Sequence, residues 1–174
     1  MTSLEFAAGA LRAAGIPHAL IGAAALAAHG VSRSTFDQDV LVTDRSVLSA
    51  DFWDGRPHGT SVDVRRGDAD DPLAGVVRLR AAGERDVDVI VGRHAWQADI
   101  VGRAEVPRGG LVPVVRAADL VMLKLYAGGS QDRWDIEQLL ALDASGAIAQ
   151  ELAGRLDVLP VRAREIWTQL RTQR

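Results

Sequence analysis

The chain has 174 residues and a formal net charge of −3, with 48% hydrophobic and 25% charged residues. This composition is typical of a soluble globular domain, and the lack of a basic excess argues against a protein that mainly binds a nucleic-acid backbone. The absence of cysteine excludes disulfide scaffolds and cysteine-ligated metal sites, and it fits a cytoplasmic protein. The first five residues carry no basic side chain, so no secretory signal is expected, and the longest apolar stretch, 19–28, is too short for a membrane span. Among the 20 basic residues there is a single lysine, Lys124.

The first two-thirds of the chain predicts a mixture of helices and strands. Thr2 and Glu5 form a capping box that begins a helix, and Gly15 can end it. A short strand is expected at 18–21, followed by Gly22 and an alanine-rich helix at 23–29. Further strands are predicted at 37–43, 61–65, 76–80 and 87–91, then a helix at 96–103 and a short strand at 111–115.

From residue 116 onward, the apolar residues have helical spacing. A helix that ends at Gly128 is predicted first, and a second surrounds 136–142, with two more at 152–156 and 161–170. The expected fold class is therefore α/β (α+β), a short mixed sheet flanked by helices with a C-terminal helical bundle. Residues 1–115 would form the α/β core, and residues 116–174 a helical region packed on it.

Two aspartate pairs begin predicted strands: Asp37 with Asp39, and Asp86 with Asp88. Because alternate residues of a strand point to the same face, each pair places two carboxylates on one side of the sheet. If the two strands are neighbours, three carboxylates can hold two divalent ions about 3.5–4 Å apart, a geometry suited to phosphoryl transfer. Alternatively, these aspartates only favour the turns that precede strands, and most isolated pairs of this kind bind no metal.

The segment before the first acidic pair strengthens the metal hypothesis. Gly22 lies between a predicted strand and a helix, where backbone N–H groups can approach an anion closely. Arg33 precedes the acidic pair and can hold a phosphate with two hydrogen bonds. A glycine turn, an arginine and a carboxylate cluster together indicate a site for a nucleoside triphosphate.

The runs 21–27 and 33–40 resemble the signature of the polymerase-beta-like nucleotidyltransferase superfamily. The strand at 87–91 is similar to the one that carries the third carboxylate of that superfamily. Residues 123–127 and 132–140 are similar to a helical segment of its bacterial minimal, toxin–antitoxin-associated branch, and aminoglycoside-modifying nucleotidyltransferases share the same core. The resemblance covers roughly residues 16–142 of the chain.

The resemblance implies transfer of a nucleoside monophosphate from an NTP such as ATP to a hydroxyl of a protein, RNA or small-molecule acceptor, with Mg²⁺ or Mn²⁺ as cofactor. Asp37, Asp39 and Asp88 would be the catalytic, metal-binding residues, with Asp86 as the competing candidate for the third place. Asp132 and Asp135 would orient Lys124 or Arg33, or would only favour a helix N-terminus. The nucleotide-binding residues implied are Gly22, Ala23, Arg33, Lys124, Asp132 and Asp135.

The chain departs from the superfamily pattern in two places. Ala23 replaces a second glycine or serine, and Ser130-Gln131 replaces an arginine. These changes favour an alternative function, a catalytically weak or inactive nucleotide-binding or protein-interaction module such as a toxin–antitoxin component. A third hypothesis is an antibiotic-modifying enzyme, whose pocket would use Asp63, Asp132 and Asp135 to bind a cationic substrate. If Lys124 serves the site, Lys124→Arg should impair NTP handling, whereas a mere surface lysine would tolerate it.

Overall fold

The computed structural model describes residues 1–32 and 37–172, and these residues include one mixed sheet. Its strands are β1 (Ala19–Leu20), β2 (Asp37–Val42), β3 (Ser61–Arg66), β4 (Gly75–Arg80) and β5 (Asp86–Val91). They lie in the order β1-β2-β5-β4-β3, with β2 and β5 parallel and the other pairs antiparallel. The predicted mixed sheet is therefore confirmed.

Seven α-helices occur among the described residues. They are α1 (Ser3–Ala13), α2 (Gly22–Ala28), α3 (Ala95–Gly102), α4 (Ala117–Ala127), α5 (Ser130–Leu142), α6 (Ala147–Leu152) and α7 (Val161–Thr172), with short 3-10 turns at Arg45–Leu48, Ala50–Trp53 and Leu156–Val158. The predicted capping box begins α1, because Thr2 Oγ1 accepts from the amide of Glu5 at 3.2 Å while the Glu5 carboxylate accepts from the amide of Thr2 at 2.7 Å. None of the described helices is long and apolar enough to cross a membrane.

The two faces of the sheet pack differently. On one face, alternate valines of β2, β4 and β5 are buried together with α1 and with Trp53. On the other face, Leu41 of β2 and Ile90 of β5 pack against the core formed by the helices from α2 to α7. Because side chains alternate along each strand, the aspartates of β2, β3 and β5 share this second face with Arg65, Arg78 and Arg80. The candidate site lies there.

A buried carboxylate joins the helices that cover the sheet. Asp119 in the first turn of α4 is 1% exposed. It accepts a hydrogen bond from Arg103 Nη2 at 2.9 Å, and it also pairs with Arg155 beyond α6. A buried charge is stable only when paired and hydrogen-bonded, so this group links α3, α4 and the segment after α6.

The sequence predictions of two secondary-structure elements are wrong. The strand expected at 111–115 is reduced to isolated bridges at Val114, because Pro113 has no amide hydrogen to extend a ladder. The helix expected at 152–156 ends instead at Leu152, since Gly154 turns the chain with a φ of +75°. The preceding residues form α6, whose first amides donate to Asp143, at 3.0 Å from Ala147 and 2.8 Å from Ile148.

Candidate active site

The two aspartate pairs lie side by side at the centre of the sheet. In the parallel pairing of β2 with β5, Asp37 is opposite Asp86 and Asp39 is opposite Asp88. Partner residues of neighbouring strands point to the same face, so four carboxylates share the polar face. Asp88 is buried, and the other three are half-buried. The structure thus brings together the predicted carboxylates of two strands that are 49 residues apart in sequence.

Gly22 contacts the carboxylate of Asp39. The amide of Ile21 donates to the carbonyl of Asp39 at 2.9 Å, which brings the start of α2 over β2. Gly22 has a φ of +58°, and a Cβ added there would lie 2.0 Å from Oδ2 of Asp39. Only glycine combines this backbone conformation with such a close approach. Ala23, the next residue, is buried in the first turn of α2.

We expect Gly22→Ala to lower the free energy of unfolding by about 2 kcal/mol, because the left-handed conformation and the clash with Asp39 both oppose a methyl group. Urea-induced unfolding monitored by circular dichroism measures the change. Gly9→Ala is the matched control, since Gly9 lies inside α1 with open space around it and should be neutral or slightly stabilised. Equal stability of the two variants would contradict the close packing of Gly22 on Asp39.

Two arginines of β4 face the aspartates of β5. Arg78 is opposite Asp88 and binds both of its oxygens, with Nε at 2.6 Å from Oδ1 and Nη2 at 2.5 Å from Oδ2. The hydrogen bonds to Asp88 raise the pKa of Arg78 above its ordinary value. Arg80 pairs with Asp86 through Nε at 3.0 Å. Within the described residues no three carboxylate or imidazole groups are clustered as a ready metal site.

Sequence reasoning missed these arginines, although the pattern contained a signal. Arg78 and Arg80 alternate along one strand as Asp86 and Asp88 do along the next, and the short connection between the strands predicts an antiparallel hairpin. Opposite charges at facing positions of such a hairpin form cross-strand pairs. The third carboxylate was therefore predicted without the cation that it faces.

A pocket of about 340 Å³ opens beside Asp88. Its floor is the polar face of β3, β4 and β5, where Asp63 also pairs with Arg65 at 3.3 Å. Its wall is the loop between β3 and β4, represented by Gly67, Pro72 and Leu73. Acidic and basic side chains line the pocket in equal number: Asp63, Asp71, Asp88, Arg65, Arg66 and Arg78.

Side chains from other segments hold the wall of the pocket in place. Arg93 donates to three carbonyls of the loop, those of Asp68, Ala69 and Leu73, at 2.6, 2.9 and 2.8 Å. The hydroxyl of Tyr126 in α4 lies 3.3 Å from the carbonyl of Pro72. The amide of Gly67 donates to the carbonyl of Ala74 at 3.0 Å and closes the base of the loop, and the contacts from Arg93 and Tyr126 hold the residues between them in place.

Lys124 is buried between two helices. Its Nζ lies 2.5 Å from Oδ2 of Asp135 and 3.2 Å from Oδ1 of Asp132, so both acids of α5 contact the lysine of α4. Lys124 is 7% exposed and Asp135 is 0% exposed, and the interpretation of Lys124 as a surface residue is therefore wrong. Asp132 also accepts from the amide of Gly129 at 3.1 Å, as expected of an acid in a first helical turn. Arg33 falls outside the described residues.

Comparisons with known proteins support a fold assignment. ANT(2'')-Ia, solved in complex with adenylyl-2''-tobramycin, is similar with a TM-score of 0.54 at 12% identity, over 95% of this chain and 95% of that one. JHP933 from Helicobacter pylori gives a TM-score of 0.50 at 17% identity, over 98% and 91% of the two chains. A candidate nucleotidyltransferase from H. pylori also gives 0.50, at 16% identity, over 98% and 94%.

The sequence comparisons contribute no assignment, since neither a protein-family model nor a curated protein matches the chain. At identities of 12–17% the structural similarity shows the fold and not the activity. The match to ANT(2'')-Ia covers 95% of this chain, and so includes most of the mixed sheet and of the C-terminal helices. The protein therefore has a nucleotidyltransferase-like fold.

Proposed function

We propose that the chain is a metal-dependent nucleotidyltransferase that transfers a nucleoside monophosphate from an NTP to a hydroxyl group. The observation that carries the proposal is the register of β2 with β5, which places Asp39 beside Asp88 next to an open pocket. Gly22 lies against Asp39, where backbone can approach a phosphate closely. This arrangement supports a reaction centre between a nucleotide on the β2 side and an acceptor in the pocket.

The carboxylate oxygens fit a divalent metal of the Mg²⁺ or Mn²⁺ type, which prefers hard oxygen ligands. Asp37 and Asp39 share one face of β2 and would hold the ion, and Asp88 is the third carboxylate of the set. When bound, such an ion would offset the negative charge of the triphosphate and of its leaving group. Gly22, Ala23, Arg33 and Lys124, with Asp132 and Asp135 behind the lysine, are the proposed nucleotide-binding residues.

In the proposed reaction, the acceptor hydroxyl oxygen forms a bond to the α-phosphorus while the bond from that phosphorus to the bridging oxygen of the β-phosphate breaks. Pyrophosphate leaves with the electron pair of that bond. Asp88 borders the pocket, and it would accept the hydroxyl proton and pass it to solvent. The main contribution of the protein is to hold the two reactants in line.

The lining of the pocket bears on the acceptor. Asp63 is paired with Arg65, and Asp132 and Asp135 pair with Lys124 instead of lining the pocket. Two of the three acids predicted for a cationic substrate are therefore engaged elsewhere. A pocket with equal numbers of acidic and basic groups favours a neutral or zwitterionic acceptor over a polycationic one. Protein, RNA and small-molecule acceptors all stay within the proposal.

A second candidate function is nucleotide binding without transfer. The observation that favours it is the bidentate pairing of Asp88 with Arg78, which occupies both oxygens of the third carboxylate. Ala23, which stands where the superfamily pattern has a glycine or serine, also favours nucleotide binding without transfer. Membership of the toxin–antitoxin-associated branch stays a prediction from the sequences of α4 and α5.

The test is transfer of label from each of the four α-³²P-labelled NTPs, with Mg²⁺, to the protein itself, to a total RNA pool and to a panel of hydroxylated metabolites. We expect label transfer that disappears when EDTA removes the metal. Transfer that persists after chelation would contradict the proposed chemistry. Saturable NTP binding without transfer to any acceptor would favour the second candidate function.

A further inference from the structure

The strongest unexplained feature of the site is the partner of Asp88. Arg78 and Asp88 face each other across the β4–β5 ladder, and the guanidinium occupies both carboxylate oxygens at 2.5 and 2.6 Å. The side chain of Asp88 is 10% exposed and that of Arg78 is 35% exposed. This is the paired, bidentate geometry in which arginine binds a carboxylate most strongly.

A divalent cation at Asp88 would need the same oxygens. A metal ligand donates a lone pair directly to the ion, and like charges repel strongly at the short distance that separates the two cation positions. The pair is also largely withdrawn from solvent on the Asp88 side, so water screens that repulsion poorly. Each Asp88 oxygen keeps a further lone pair, but the guanidinium beside it makes binding of a divalent ion at Asp88 unfavourable in the geometry that the structure shows.

We infer that Arg78 competes with divalent cations for Asp88 and serves as an internal counter-ion in place of a metal at the third carboxylate. The inference rests on the proposed metal site, and it assigns the ion to Asp37 and Asp39 while Arg78 holds Asp88 in position. Arg78 is thus a positioning residue. Arg80 provides the matched comparison, because it pairs with Asp86 on the same two strands, two residues from Arg78 and on the same face.

The test measures binding of Mn²⁺ alone, by electron paramagnetic resonance of the free ion, to the full chain and to its variants. We expect Arg78→Leu to bind Mn²⁺ on the order of tenfold more tightly than the wild type, the scale of change produced by altering the partner of a ligand. Arg80→Leu removes the same charge from the same face and should change the affinity far less. No tightening in Arg78→Leu, or equal tightening in Arg80→Leu, would overturn the inference.

A double variant separates competition from a general charge effect. Arg78→Leu combined with Asp88→Asn should return the Mn²⁺ affinity to the wild-type range, because the released ligand is gone; tightening that survives in the double variant would overturn the inference. Circular dichroism verifies the fold of each variant, and Arg78→Gln replaces Arg78→Leu if the leucine variant unfolds. The outcome does not depend on nucleotide transfer, so failure of the proposed function would show separately in the label-transfer assay.

Discussion

Asp39→Asn is expected to reduce nucleotidyl transfer about a thousandfold, the scale of losing one preorganised electrostatic contact to a transition state. Asp39 lies beside Asp88 in the β2–β5 register and against the backbone of Gly22. The substitution keeps the shape of the side chain but removes the negative charge that a divalent ion requires. The rate of label transfer under saturating Mg²⁺ measures the loss.

The control for Asp39→Asn is Asp157→Asn. Asp157 lies in the 3-10 turn before α7, and its side chain is 87% exposed, so the same chemical change there should leave the rate unchanged. Thermal unfolding of both variants checks that the fold is retained. Asp39→Asn with more than a tenth of the wild-type rate would contradict the assignment of Asp39 to the metal.

Lys124→Met is expected to lower the free energy of unfolding by about 3 kcal/mol, because it removes the ammonium that pairs with a buried carboxylate. Asp135 is 0% exposed and lies 2.5 Å from Nζ of Lys124. Gln131 donates to Oδ1 of Asp135 at 3.3 Å, and a neutral amide offsets less of the carboxylate charge than an ammonium does. Urea-induced unfolding measures the change, and Arg133→Met, an exposed cation on α5, should be nearly neutral.

A double variant distinguishes the two roles of this lysine. Lys124→Met with Asp135→Leu removes both buried charges, and such replacements commonly recover stability. If Lys124 also binds the triphosphate, the double variant should regain stability without regaining NTP affinity, as measured by isothermal titration calorimetry with an NTP and Mg²⁺. Recovery of both properties would show that the lysine serves only the α4–α5 contact.

Several features of the site were predictable because they follow from short-range patterns. Because side chains alternate along a strand, Asp37 and Asp39 point to one face, and so do Asp86 and Asp88, in any sheet that contains these strands. The boundaries of β2 to β5 agree with the sequence prediction to within one residue or so, since valine-rich runs between turn residues are strong strand signals. The prediction failed at 111–115, where the apolar run suggested a strand but Pro113 cannot extend a ladder of hydrogen bonds.

The wall of the pocket could not be predicted in the same way. Arg93, Tyr126 and the loop at 67–74 come from three separate parts of the chain, and their contacts are hydrogen bonds to backbone carbonyls. Any residue type presents such a carbonyl, so the composition of the loop carries no signal for its partner. The contact of Lys124 with Asp132 and Asp135 was predictable only in part. The sequence indicates the two acids as partners of the lysine, but it does not indicate that the lysine is buried.

The sequence by itself determined the order of the elements and showed that the two aspartates of each pair point to the same face of their strand. It also showed that Lys124 is the single lysine, because residue spacing and composition carry this information directly. Only the tertiary structure decided which cation each carboxylate meets. Arg78 binds Asp88 and Lys124 binds Asp135 through strand register and helix packing, which depend on contacts distant in the chain. The physical reason is that the burial of a carboxylate and the cation placed next to it, rather than its residue type, determine whether it can bind a metal or is paired with a side chain of the protein.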